Sequence, residues 1–308
     1  MRIAVVGAGG VGAGFGAALA KAGADVTFVA RGAHLEAMRR GGLRIESPRG
    51  DVHLVPTRAT DDPAAVGPVD VVLFCVKLWD VESAGRHIAP MVGPDTAVIP
   101  LQNGIDAPER LAPILGDRAV MGGVAQISAS IVAPGVVRQV GTFMRMIFGE
   151  LDGSPSPRGE KLLALCRKAG FDAELSDRIV TELWMKFIPL STNAGLTAVT
   201  RLPIGKLRDD PDIRPLFISA CKEVIEIGRA KGIALPLDAL EKTLDFLGHA
   251  PPAMKASMAL DLERGNRLEL PWLSGKVVEL GKTLNVPTPT HGVLYALLKP
   301  YIMGSPAS

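Results

Sequence analysis

A lysine whose proton is loosely held can protonate a carbonyl oxygen, and a glycine turn at a helix start can hold a phosphate. This 308-residue chain carries candidates for both. Lys186 lies in Thr181-Glu182-Leu183-Trp184-Met185-Lys186-Phe187-Ile188-Pro189. Its apolar neighbours would desolvate the ammonium and lower its pKa towards the range useful for proton transfer. Pro189 lacks an N–H, so a kink is expected close to Lys186. Spacing alone favours a lysine that snorkels from an amphipathic helix. At the other end of the chain stands Gly7-Ala8-Gly9-Gly10-Val11-Gly12, a G-x-G-x-x-G run. The first glycine permits a tight turn, the second lets a pyrophosphate approach the backbone, and the third lets the following helix pack closely. Unpaired amides and the positive dipole end of that helix would face the phosphates.

The pattern has weight because of its flanks. Arg2 to Val6 reads as a short buried strand, Val11 to Ala22 as a helix, and Asp25 to Ala30 as a second strand. NAD-binding units commonly place an acid after that second strand to hold the ribose 2′-hydroxyl. Here Arg31 follows, with nothing acidic before Glu36. A guanidinium suits a 2′-phosphate and cannot accept from a hydroxyl, so the cofactor expected is NADPH. Residues Ile3 to Ala20 carry no charge, but six of these eighteen are glycines, which argues against a signal peptide or membrane helix.

Further along, Val69 to Val76 is an almost unbroken apolar run that fits a parallel strand buried on both faces. Lys77 ends it, and ligands of open parallel sheets bind beyond the carboxyl ends of strands. A solvated strand-end lysine is the plain alternative. Thr96 to Leu101 repeats the arrangement one strand on, ending in Gln102-Asn103-Gly104. Asn-Gly is equally an ordinary turn. Runs near Arg118 to Ala129, Val136 to Val140 and Met144 to Gly149 read as strands without intervening helices, so this edge of the sheet is expected to turn antiparallel or mixed. Gly159 to Ala169 reads as a helix and Phe171 to Leu175 as a last strand. From Ser176 onward only helical patterns remain, separated by Pro and Gly. The expected architecture is an α/β Rossmann-type doubly wound sheet over residues 1–175, followed by an all-helical C-terminal domain over 176–308.

Composition narrows the partners. The net charge of +2 gives no electrostatic case for nucleic acid or an anionic membrane. Cys75, Cys166 and Cys221 are far apart, in apolar or helical surroundings, as expected of core residues in a reducing, cytoplasmic compartment. His34, His53, His87, His249 and His291 lack ligand spacing, so no metal is expected, and each reads as a surface or capping histidine. The apolar helices of the second half are compatible with a homodimer.

In order and spacing, several of these segments resemble the ketopantoate reductase (2-dehydropantoate 2-reductase) family over the whole chain. They are the glycine run, Arg31, Val76-Lys77, Gln102-Asn103-Gly104, Glu182-Leu183-Trp184-Met185-Lys186, Ser257-Met258 with Asp261, and Glu269. The resemblance implies a Rossmann domain, a helical domain, and NADPH-dependent reduction of a 2-keto acid to the 2-hydroxy acid, as in pantothenate biosynthesis. It implies Arg31 at the 2′-phosphate, Lys77 and Asn103 on the nicotinamide side, and Lys186 as proton donor. Ser257 becomes a substrate contact and Glu269 a contact where cofactor and substrate meet. Where the family has substrate-holding asparagines, this chain has Leu190, Ala194 and Ile204. Asn193, nearly on the stripe of Lys186, is a partial replacement, and Arg201 is a candidate carboxylate clamp. A more apolar 2-keto acid is thus one alternative substrate. A non-catalytic NADPH-sensing protein is an alternative of another class, disfavoured by the retained Lys186 and Glu269.

Overall fold

The computed structural model describes residues 1–305 and divides into two compact units, Met1–Ile179 and Val180–Ser308. In the first unit the order is β1 (Arg2–Val6), α1 (Gly10–Lys21), β2 (Asp25–Val29), α2 (Gly32–Gly41), β3 (Leu43–Glu46), β4 (Val52–Leu54), β5 (Ala59–Thr60) and β6 (Val69–Phe74). There follow α3 (Val81–His87), β7 (Val92–Pro100), α4 (Ala107–Leu115), β8 (Gly122–Ala133), β9 (Val136–Gly149), α5 (Pro157–Lys168) and β10 (Asp172–Leu175). Helix α3 completes the crossover between β6 and β7.

One sheet runs β5-β2-β1-β6-β7, all parallel. Its strands are apolar on both faces, as a sheet sandwiched between helices requires. The chain leaves β1 on one side for β2 and returns on the other for β6, so the strand order reverses at β1/β6. Register puts Val29, Val6, Phe74 and Pro100 in one row at the carboxyl edge. Whatever follows those four residues is therefore displayed along a single line.

The strands expected to continue this sheet instead build a second one, of order β10-β9-β3-β4 with β8 on the other edge of β9. This sheet is mixed: β9 runs antiparallel to β8 but parallel to β3 and β10. An isolated parallel bridge, Val98 to Val120, forms just before the chain enters β8. Alternating apolar residues identify strands but do not say which sheet receives them.

Helix α1 lies between the sheets, and glycines on opposite faces let it fit. A Cβ on Gly12 would stand 2.2 Å from the Gly7 carbonyl oxygen, and one on Gly16 would meet Phe28 at 2.6 Å. On the other face a Cβ on Gly10 would stand 1.9 Å from the Ala129 carbonyl oxygen, and one on Gly14 would meet Ile127 at 2.7 Å. Four glycines in a twelve-residue helix each sacrifice about 1 kcal/mol of propensity relative to Ala. Close packing on both sides offsets that loss.

The second unit contains α6 (Ile179–Thr200), α7 (Ile204–Arg208), α8 (Arg214–Ala230), α9 (Ala239–Gly248), α10 (Ser257–Glu263), α11 (Ser274–Leu284) and α12 (Pro289–Leu298). No strand occurs among its described residues. Gly195 of α6 approaches Leu294 of α12 and the Ser274 hydroxyl, and Gly228 of α8 approaches Trp184. Trp184 meets Phe187 edge to face at 6.1 Å. No described helix is long and apolar enough to cross a membrane.

Candidate active site

The carboxyl edge of the parallel sheet gathers the candidates of the first unit. Gly7 follows β1 with φ +91, a conformation that favours glycine, and its amide donates to the Val29 carbonyl at 3.0 Å. A Cβ on it would lie 2.8 Å from the Cys75 carbonyl, so the turn is tight against the neighbouring strand as well. Gly9 is different. It has an ordinary φ of −73, and a Cβ added to it would meet nothing within 4 Å. Packing does not require glycine there. The open space beside it, next to the first-turn amides of α1 that have no intrahelical acceptor, is the cradle a pyrophosphate needs.

Arg31 comes just after β2, with its side chain 84% exposed, and donates to the Asp80 carboxylate at 2.9 Å. Lys77 and Asp80 follow β6. Lys77 is exposed, begins the short 3₁₀ turn Leu78–Asp80 and places its ammonium 5.6 Å from the Trp79 ring centroid. Asn103 follows β7 and is partly buried. Beside it Gln102 is buried with neither amide atom hydrogen-bonded. Glycine turn, arginine, lysine and asparagine thus come from four adjacent parallel strands, at the edge where the strand order reverses.

In the second unit, α6 carries Lys186 and runs on through Pro189 as a continuous helix. Pro189 denies a donor to the Met185 carbonyl, next to Lys186. Burial pushes the Lys186 ammonium down from 10.5 to about 8, and the negative charge of Glu269 opposes the shift. Glu269 is buried and leads into the 3₁₀ turn Leu270–Trp272. Lysine and glutamate, 83 positions apart in sequence, are therefore electrostatically coupled in space.

Asn193 lies two helical turns beyond Lys186, about 10 Å along the axis. It is buried, and its Oδ1 has no hydrogen-bond partner. Of the three positions that depart from the family pattern, Ala194 and Ile204 are buried in packing and only Leu190 retains accessible surface. Ser257 is exposed at the first turn of α10. Arg201 is not brought near Lys186. It follows the last turn of α6, exposed and in the left-handed conformation with φ 59, about 22 Å along the helix axis from the lysine.

Two polar residues are missed by the sequence reading and a third, His291, is misread. Asp80, the partner of Arg31, lies 49 positions away, beyond any local pattern. Glu223 stands in the buried stripe of α8 and accepts from the Thr290 and His291 amides at 2.7 and 2.9 Å, capping α12. A carboxylate among apolar helical positions was the signal available for it. His291 is fully buried and not a surface histidine: its Nδ1 is 3.2 Å from the Ser274 hydroxyl, and burial lowers its pKa to about 4.

The chain is similar to known proteins over nearly its whole length. The chain matches the profile described as Ketopantoate reductase PanE/ApbA over residues 3–153 and that of its C-terminal part over residues 178–301. A 2-dehydropantoate 2-reductase of Mesorhizobium japonicum is 31% identical over 97% of both chains. Among solved structures, a PanE/ApbA family ketopantoate reductase from Ralstonia eutropha is 33% identical, covers 98% of both chains and superposes with a TM-score of 0.89. A D-mandelate dehydrogenase solved with NADH and anilino(oxo)acetate, 21% identical over 98% of both chains, shares the fold with a TM-score of 0.89.

Proposed function

The chain belongs to the ketopantoate reductase family, and we propose that it reduces the carbonyl of a 2-keto acid to a 2-hydroxy acid with NADPH, 2-dehydropantoate being the first substrate to test. The observation that carries this reading is the pairing of Lys186, brought down to about 8, with buried Glu269. A lysine at its ordinary pKa gives up its proton reluctantly at neutral pH, and one desolvated without a counter-charge would not hold a proton to give. The pair lies between those limits.

The residues at the sheet edge fit a dinucleotide. Gly9 and the first-turn amides of α1 would receive the pyrophosphate and Arg31 the 2′-phosphate, while Lys77 and Asn103 would serve the nicotinamide half. Bound there, the dinucleotide would supply the hydride for the keto carbon. Lys186 gives its proton to the ketone oxygen, so that no alkoxide is left in a dry site, and is itself left as the neutral amine that burial favours. Glu269 keeps the lysine charged until that step, and solvent restores the proton afterwards.

Leu190 supports a second reading of the substrate. It stands where the family has an amide, and it keeps accessible surface on the Lys186 stripe, which suits a more apolar 2-keto acid. NADPH oxidation, followed at its absorbance against a panel of 2-keto acids with NADH as control, separates the two readings. A Lys186→Ala variant should bind NADPH as the native protein does and lose about 100-fold or more in kcat. Near-native turnover by that variant would remove Lys186 as the donor, and absence of any turnover in the native protein would favour the NADPH sensor.

A further inference from the structure

The ion pair between Arg31 and Asp80 joins the ends of two strands that flank β1 on opposite sides. The pair therefore lies at the carboxyl edge of the sheet, the edge at which Gly7 begins its turn. Arg31 is 84% exposed whereas Asp80 is 26% exposed, so the guanidinium side of the pair is open to a ligand while the carboxylate is largely packed in place. We propose that Asp80 is a specificity-determining residue that weakens discrimination between NADPH and NADH by competing with the 2′-phosphate for Arg31. The inference rests on the reading of this edge as a dinucleotide site with Arg31 at the ribose.

The competition is electrostatic. With the pyrophosphate fixed at the α1 N-terminus, the adenosine ribose lies towards the end of β2, where Arg31 stands. A phosphate carries up to two negative charges and would share the guanidinium with a carboxylate already at 2.9 Å. Two anions on one cation repel across its width, whereas the 2′-hydroxyl of NADH carries no charge and leaves the Arg31–Asp80 pair intact. Asp80 also brings an acceptor close to a position where β2 itself ends without one. The carboxylate thus penalises the phosphorylated cofactor and not the other. At about 5–6 Å in a solvent-screened groove, the repulsion amounts to roughly a tenfold effect on NADPH binding.

Asp80→Asn keeps the size of the side chain and removes its charge. The dissociation constants of NADPH and NADH are measured for the native protein, Asp80→Asn and Arg31→Ala by quenching of tryptophan fluorescence, together with kcat/KM for each cofactor. The expected result is NADPH binding tightened about tenfold in Asp80→Asn with NADH unchanged or weakened, so that the preference for NADPH rises. The effect should shrink in high salt. An unchanged preference, or a lower one because Asp80 orients Arg31 for the phosphate, would overturn the inference. Arg31→Ala keeps the two failures apart. If it abolishes the preference while Asp80→Asn does nothing, Asp80 has no such role and the cofactor reading survives. If Arg31→Ala leaves the preference untouched, the assignment of Arg31 falls and the role of Asp80 with it.

Discussion

Glu269→Gln isolates the interaction on which the proposed chemistry depends. In the native protein the Lys186 ammonium sits at about 8, with burial as the larger, lowering cause and Glu269 raising it. The protonated form is the proton donor, so activity is present below that value and falls as pH rises through it. Neutralising Glu269 leaves desolvation unopposed, and the pKa must fall further. A nearby opposite charge moves a pKa by about one to three units. A fall from about 8 to about 7 would take the protonated fraction at pH 7.5 from roughly three quarters to roughly one quarter, a threefold loss in rate. At pH 6 the loss would be about a tenth, because both forms are then largely protonated. The assay is kcat/KM against pH, from about 5.5 to 10, for the native protein and Glu269→Gln, with the alkaline limb fitted in each. An alkaline limb that stays in place, or moves upward, refutes the coupling. A loss of rate equal at every pH would mean that Glu269 acts on the ligand directly and not through Lys186.

Other perturbations follow from the packing. Gly9→Ala should leave folding stability unchanged and weaken dinucleotide binding, whereas Gly10→Ala should cost about 2–3 kcal/mol by driving the Ala129 carbonyl away, as denaturant titration and fluorescence binding would record. Glu223→Ala strips the α12 amides of Thr290 and His291 of their acceptor and should cost about 1–3 kcal/mol in the same titration. His291, at about 4 when folded and 6.5 in the free side chain, favours the native state fully above pH 6.5. That contribution is lost as pH falls from 6.5 through 4, up to about 3 kcal/mol. His291→Gln should flatten the dependence of unfolding free energy on pH over this window, and an unchanged slope would assign the acid lability elsewhere.

The first βαβ unit was legible because its glycines, strand runs and Arg31 are local and ordered. Lys77 and Asn103 were placed by a rule about strand ends that needs no tertiary contact. The second sheet was not legible: β8 and β9 alternate as strands must, but nothing local says that Gly122 and Gly123 lead the chain away from β7. Burial of Lys186 could be read from its apolar neighbours, whereas its coupling to Glu269 depends on how α6 packs in the second unit. The polar type of His291 suggests a surface, and only the packing of α12 against α8 and α11 puts it inside. The charge of Arg201 suggests a clamp, but the residue lies just past the end of α6, in the left-handed conformation and remote from the lysine.

The position of α1 between two sheets also sets an order of assembly. Its Gly10 and Gly14 face waits for Ile127 and Ala129, more than a hundred residues downstream. As the chain emerges from a ribosome, the Gly7–Gly12 turn is made more than a hundred residues before the strand that completes its surroundings. Until β8 arrives, the Gly10 and Gly14 face of a glycine-rich helix with weak propensity of its own lacks its packing partner. A nascent chain halted before Gly122 should bind dinucleotide poorly and be cut readily within α1 by protease. Extension past Gly149 should restore both properties together.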